Sequence, residues 1–154
     1  MSTLTEGGKM SRVIILVTIT FAVVTSFAFA DEQYRCTADS ASGFYFNRAA
    51  ESWQRTKIKA DSKYTISKPE GSKWAFVVRK VRDFSPIATC KDGFDEGGLL
   101  FCKGTGYDFR FNRNNGRYLA AYLLGYFDVL SGTNDKTDAT SDTPFIEIGT
   151  CSPI

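Results

Sequence analysis

From residue 40 onward, apolar and polar side chains alternate over short stretches. Tyr107, Phe109 and Phe111 alternate with Asp108, Arg110 and Asn112, and Phe145, Ile146, Glu147 and Ile148 repeat the pattern near the C-terminus. Phe44 and Phe46 flank Tyr45 in the same way. A period of two with aromatic and β-branched residues indicates half-buried strands. Turn formers separate the runs: Asp61-Ser62, Pro69-Glu70-Gly71-Ser72, Gly104-Thr105-Gly106 and Asn114-Asn115-Gly116. The last is the best hairpin signal of the chain, because Asn-Gly adopts the left-handed conformations a tight β-turn needs. The pattern predicts strands near 43–47, 53–59, 63–68, 74–81, 86–90, 99–103, 107–112, 117–128 and 144–150.

Two stretches read less plainly. In Arg117–Leu130, Leu119, Tyr122, Leu123 and Tyr126 fall at helical spacing. Gly125 and the aromatic residues favour a long strand, or two joined ones. Asn47–Gln54 suits either a turn of helix or a connecting loop. Ser131–Thr143 contains no aromatic residue and reads as a long exposed loop before the last strand. About eight short strands predict an all-β domain, a small antiparallel barrel or a two-sheet sandwich.

The first thirty residues follow another rule. Val13–Ala30 is a continuous apolar run behind a short basic flank of Lys9 and Arg12, and it ends in Ala28-Phe29-Ala30 before Asp31. Small residues at the third and first positions before a cut are what signal peptidase accommodates, so cleavage is expected between Ala30 and Asp31. Such a run is also just long enough to span a bilayer, but Thr18, Thr20, Thr25 and Ser26 weaken it as an anchor. The expected organisation is a signal peptide over 1–30 and a mature β domain over 31–154. Met10 is an alternative start that would leave a tighter leader. An exported, periplasmic or secreted, protein without a stable membrane anchor follows.

Composition narrows the chemistry. The 154 residues carry 19 Lys+Arg against 17 Asp+Glu and no histidine. Without imidazole there is no Ser-His-Asp or Cys-His pair and no His-ligated metal. The near balance of charge offers no basic surplus for nucleic acid and no polybasic tract for lipid. It conceals an asymmetry: eleven Lys and Arg between Arg35 and Arg82 face only Asp39, Glu51, Asp61 and Glu70.

Cys36, Cys90, Cys102 and Cys151 all lie in the mature part, and an even count in an exported chain reads as disulfides. No pair stands at zinc-ligand spacing. Four cysteines allow three connectivities. The turn formers Asp92-Gly93 and Gly97-Gly98 between Cys90 and Cys102 favour the nested pattern, Cys90–Cys102 within Cys36–Cys151.

Carboxylates are the remaining route to catalysis, since an acid and a base suffice for glycoside hydrolysis. Asp92, Asp95 and Glu96 cluster in one loop, and Asp135, Asp138 and Asp142 recur in another, without the glycine and glutamate of a calcium loop. Solvated turns explain both. Gly104-x-Gly106 lacks the third glycine of a dinucleotide site and the lysine of a P-loop. The 10 Phe, 7 Tyr and 2 Trp of residues 31–154 are expected to fill a core or, in an open-mouthed barrel, to line a cavity. Trp53 and Trp74 are the candidate ligand-binding residues, because an indole N–H without an interior partner favours a pocket rim.

Several segments resemble small exported disulfide-bonded β proteins of alpha-proteobacterial type. They are Tyr34-Arg35-Cys36, Gly43-Phe44-Tyr45-Phe46 with a following Trp53, LLFCKG over 99–104, FRFN over 109–112 with the GRYL that follows, and DTPFIEIGTC over 142–151. That resemblance implies export and a compact oxidised form, and it supplies no site residues. Ser40-Ala41-Ser42-Gly43 is similar to a loop of periplasmic C-type lysozyme inhibitors, small disulfide-tied β-barrels. In them a basic residue and a tyrosine follow and the loop enters the lysozyme cleft. Here Phe44 stands near the basic position, with Tyr45 after it, and the motif begins only four residues past Cys36. Taken together, the sequence predicts a non-enzymatic binding or interaction module for a small apolar ligand or an envelope protein. The alternatives are a periplasmic lysozyme or hydrolase inhibitor and a carboxylate-dependent hydrolase. No cofactor, metal or nucleic acid is expected.

Overall fold

The structure is a computed structural model that describes residues 32–127 and 142–154. The leader, its cleavage point at Ala30 and Asp31, and the candidate carboxylates Asp135 and Asp138 lie outside the described residues. Nine strands are present among those described: β1 (Tyr34–Asn47), β2 (Ser52–Ile58), β3 (Lys63–Ser67), β4 (Phe76–Lys80), β5 (Ala88–Cys90), β6 (Leu99–Lys103), β7 (Tyr107–Asn112), β8 (Arg117–Tyr122) and β9 (Phe145–Pro153). Every neighbouring pair is antiparallel, and β9 returns to pair with β1. Of the two predicted architectures, the closed barrel is the one formed. It has eight strands, with β2 as an addition on one flank.

β1 makes this possible by being long. Its first part, Tyr34–Thr37, pairs with β3, and its second part, Ala41–Asn47, pairs with β2 on the same edge. Its other edge pairs with β9 from Tyr34 to Gly43, with a bulge at Asp39. Closure removes exposed edges from the eight barrel strands, and among the described residues β2 pairs with β1 alone.

Two sequence expectations are corrected. β1 begins at Tyr34, not at 43. Its hidden half points Cys36, Ala38 and Ala41 inward, small residues that fit a crowded interior but carry little strand signal. The predicted strand 117–128 ends at Tyr122. There Leu123 donates its N–H to the Gly106 carbonyl at 2.8 Å, and Gly125 takes a φ of 112°, which sends the chain into a turn. The Asn114-Asn115-Gly116 hairpin forms as predicted, with Gly116 at φ 68° and the Asn112 and Asn115 side chains accepting from Asn114 N and Arg117 N.

The disulfides are nested, Cys36–Cys151 and Cys90–Cys102. Cys36 and Cys151 face each other directly in the β1–β9 register, so this bridge staples the seam at which the barrel closes. The second bridge joins β5 to β6, which share a single registered pair, Thr89 with Lys103. The smaller disulfide therefore supports a seam with little backbone pairing, while the larger one reinforces a seam that is already long.

The interior is filled by aromatic rings. Phe94, from the loop inside the smaller disulfide ring, meets Tyr34, Phe76 and Phe111 edge-on and plugs one end. Above this layer Phe109 stacks on Tyr118 at 5.1 Å, and Tyr64 packs edge-on against both. Edge-to-face and offset packing suits the ring quadrupole and adds to the burial of these large side chains.

Candidate functional site

Parity along β9 is set by Cys151, whose bridge partner is buried. Gly149, Glu147 and Phe145 share its face, so Ile146 and Ile148 point outward. The strand register then aligns the outer positions of four strands. Phe101 opposes Arg110, Arg110 opposes Leu119, and Leu119 opposes Ile148. Phe101, Leu119, Ile148 and Ile146 keep 52%, 40%, 50% and 54% of their surface exposed. Arg110 interrupts this row without isolating its ends, because its guanidinium lies over the Phe101 ring and is paired with Asp108 by two hydrogen bonds of 3.1 and 3.2 Å. The row continues into an open groove of about 290 Å³ between Phe44, Leu123, Phe145 and Ile146, edged by Arg55. The result is an apolar row across the outer faces of β6–β9, with the Arg110–Asp108 pair in its middle and Lys103 and Arg117 at outer positions of β6 and β8.

The opposite logic holds inside. Glu147, only 2% exposed, accepts a 2.9 Å hydrogen bond from the Tyr118 hydroxyl. The Tyr64 hydroxyl is buried and has no hydrogen-bond partner among the described residues. Burial, reinforced by Glu147, pushes both phenols above their ordinary range. Sequence reasoning passed over Glu147 because two isoleucines flank it. The available signal was its spacing of four from Cys151, which puts both on one face of a regular strand.

A third feature lies on the basic flank. Asp61, Ser62, Lys63, Lys80, Val81 and Arg82 line an open groove of about 470 Å³. Asp61 is occupied by the Lys59 ammonium at 2.9 Å, whose hydrogen bond holds its carboxyl below the ordinary range. Arg82 has a φ of 83°, a left-handed conformation that costs a side chain with a Cβ.

The sequence-predicted candidates fall elsewhere. Trp53 on β2 packs edge-on against Phe46 and Tyr126, with its buried indole N–H unpartnered among the described residues. Trp74 precedes β4 and lies under the Lys73 ammonium at 4.9 Å. No ring contact joins the two tryptophans among the described residues, and neither lines the grooves just described. Ser40–Gly43 lies within β1, paired to β9 throughout and to β2 from Ala41, so it does not form the projecting loop that its resemblance implies. Asp95 closes its own turn by accepting from Leu99 N at 2.8 Å, and Asp142 accepts from the Tyr122 hydroxyl at 2.6 Å. Among the described residues no three His, Cys, Asp or Glu side chains converge as a metal site requires. No family model, curated protein or solved structure matches the chain.

Proposed function

We propose that this chain is an exported, non-catalytic interaction module that binds an envelope protein through the outer face of β6–β9. One observation carries the reading: the apolar row Phe101, Leu119 and Ile148, with Ile146 beside it, stands on the outside of a barrel whose inside is already filled. Cross-strand pairing gives half-exposed isoleucines on a sheet exterior only a modest stabilising role. Contiguous apolar surface of this kind marks contact with another protein. The groove between Phe44 and Ile146 offers a recess for an anchoring side chain of the partner, the usual source of most binding energy. Export rests on the apolar leader with its Ala28-Phe29-Ala30 end. The absence of histidine and the structural use of Asp95 and Asp142 favour binding over hydrolysis.

The test is capture from envelope extract by the oxidised mature protein beside its L119K and I148K variants. The expected result is one partner retained by the native protein and lost by both variants, which keep the native near-ultraviolet circular dichroism. Equal capture by all three would overturn the assignment. A concentration-dependent dimer that I148K dissociates would give the face to self-association instead.

A further inference from the structure

The basic flank carries an inference independent of the β6–β9 face. We infer that the groove of Lys63, Lys80 and Arg82, with Phe84 beside it, docks the barrel reversibly on an anionic phospholipid surface. The sequence contains no polybasic tract, but the fold assembles one from separate segments. Lys63 opens β3 and Lys80 closes β4. Because Tyr64 registers with Lys80 and Val81 donates its N–H to the Lys63 carbonyl at 2.8 Å, the two lysines come to one end of the same hairpin. Arg82 follows in the turn. Among the described residues none of these three side chains meets a carboxylate, and the groove's own acid, Asp61, is paired with Lys59. The neighbouring Asp83 stands outside the groove lining, in the turn that its N–H closes on the Lys80 carbonyl at 3.0 Å. Lys63, Lys80 and Arg82 thus line one recess, whose one carboxylate is paired with Lys59.

Phe84 supplies the second, separate observation. It is 97% exposed, more than any other large hydrophobic side chain described. Its backbone is nevertheless pinned. Arg79 Nε donates to the Phe84 carbonyl at 3.3 Å, and Ile87 N donates to the Val78 carbonyl at 2.8 Å. The left-handed Arg82 turns the chain so that the ring points away from the barrel, and strain of this kind persists only where surrounding contacts enforce it. Val81, also exposed, lies in the same loop.

A rigid ring standing among hydrated cations is poorly suited to a protein pocket, which would have to desolvate those cations along with it. A bilayer surface keeps the two layers apart. Lipid phosphates receive Lys63, Lys80 and Arg82 in the headgroup region, and the ring reaches the acyl boundary. A free phosphate would satisfy the groove and leave the ring unexplained. Attraction from three cations and one ring gives weak, salt-sensitive association, not an anchor.

The experiment is vesicle co-sedimentation with the mature chain, residues 31–154, which holds all nine strands and both disulfides. The leader must be absent, since its apolar run would enter any bilayer. Vesicles of phosphatidylcholine with one third phosphatidylglycerol are compared with phosphatidylcholine alone. Binding at least about tenfold stronger to the anionic vesicles is expected, falling with added salt. F84S and the double variant K80Q/R82Q are each expected to weaken it at least about fivefold while keeping the native melting temperature. Arg82 and Phe84 are exposed, and the half-buried Lys80 keeps most of its length as glutamine and loses no ion pair among the described residues. No preference for anionic vesicles would overturn the inference. So would anionic binding that both variants retain. Displacement by inorganic phosphate with F84S binding like the native protein would reassign the groove to a free anion. Loss of envelope-protein capture in L119K with vesicle binding intact would show the two faces to be separate.

Discussion

Tyr118 donates its hydroxyl proton to Glu147 across the β8–β9 ladder at 2.9 Å, diagonally, over the bare backbone of Gly149. This is a polar contact inside a barrel otherwise filled by rings and small aliphatic groups. Its energetics are asymmetric. Y118F leaves the buried carboxyl short of a donor and is expected to cost about 1–3 kcal/mol of unfolding free energy. E147Q keeps an acceptor for Tyr118, so it is expected to cost less than Y118F. Urea unfolding followed by intrinsic fluorescence gives the order. A larger loss for E147Q would show that the charge, not the hydrogen bond, holds the interior together.

The phenols of the interior also predict how the protein responds to alkali. Burial raises Tyr64, Tyr118 and Tyr122 above the ordinary value, and burial with the hydrogen bond to Glu32 pushes Tyr34 up to about 12. An unfolded chain releases these protons near pH 10. Above that pH the folded state holds more protons than the unfolded state, so stability falls as pH rises. The contribution is complete below about pH 10 and, for Tyr34, is lost as pH climbs toward about 12. Melting temperatures between pH 8 and 12 are expected to be flat at first and then to fall steeply, with Y118F flattening the descent. A melting temperature that stays constant through pH 12 would refute the assignment.

Much of this frame was legible in the sequence, and the failures have physical causes. β6, β7 and β9 were found within a few residues because alternation and turn chemistry agree there. The first half of β1 was missed because Cys36, Ala38 and Ala41 are the small residues an interior seam requires, not the branched ones that announce a strand. The sense of β9 was not legible from hydropathy: its isoleucines are outside and its glutamate inside, an inversion that leaves the isoleucines exposed and gives Tyr118 its acceptor. The charge asymmetry of residues 35–82 was visible, but convergence of Lys63, Lys80 and Arg82 depends on the β3–β4 register, which no local pattern encodes.

The disulfides are expected to contribute unequally. Cys36–Cys151 closes a loop with a sequence separation of 115 and Cys90–Cys102 one of 12. Loop-closure entropy assigns about 5 kcal/mol to the first and about 3 to the second. The paired replacement C36A/C151A should therefore lower the urea midpoint more than C90A/C102A. The topology argues in the same direction, because the larger bridge lies on the seam that turns a sheet into a barrel. If C90A/C102A proves the more damaging, the single-pair β5–β6 ladder, not barrel closure, is the weak seam.

Gly149 joins the seam and the interior. A Cβ there would overlap the Thr37 carbonyl oxygen and the Tyr118 ring at once. The carbonyl belongs to the β1 backbone and cannot retreat without opening β1 from β9. The ring cannot retreat either, because it stacks on Phe109 and reaches Glu147. G149A is therefore expected to destabilise the fold by about 2–3 kcal/mol, near the upper end for overpacking of a filled interior. That corresponds to a melting temperature lower by roughly 10 °C for a domain of this size. G93A is the control, since a Cβ at Gly93 meets nothing within 4 Å and its change should stay within about 0.5 kcal/mol. An unfolded-chain effect of replacing glycine would raise stability in both variants, so comparable losses in both would mean that the overlap at Gly149 is not what costs. A loss confined to G149A, accompanied by faster amide exchange along β1 and β9 and unchanged exchange in β6 and β7, would place the effect at the closing seam.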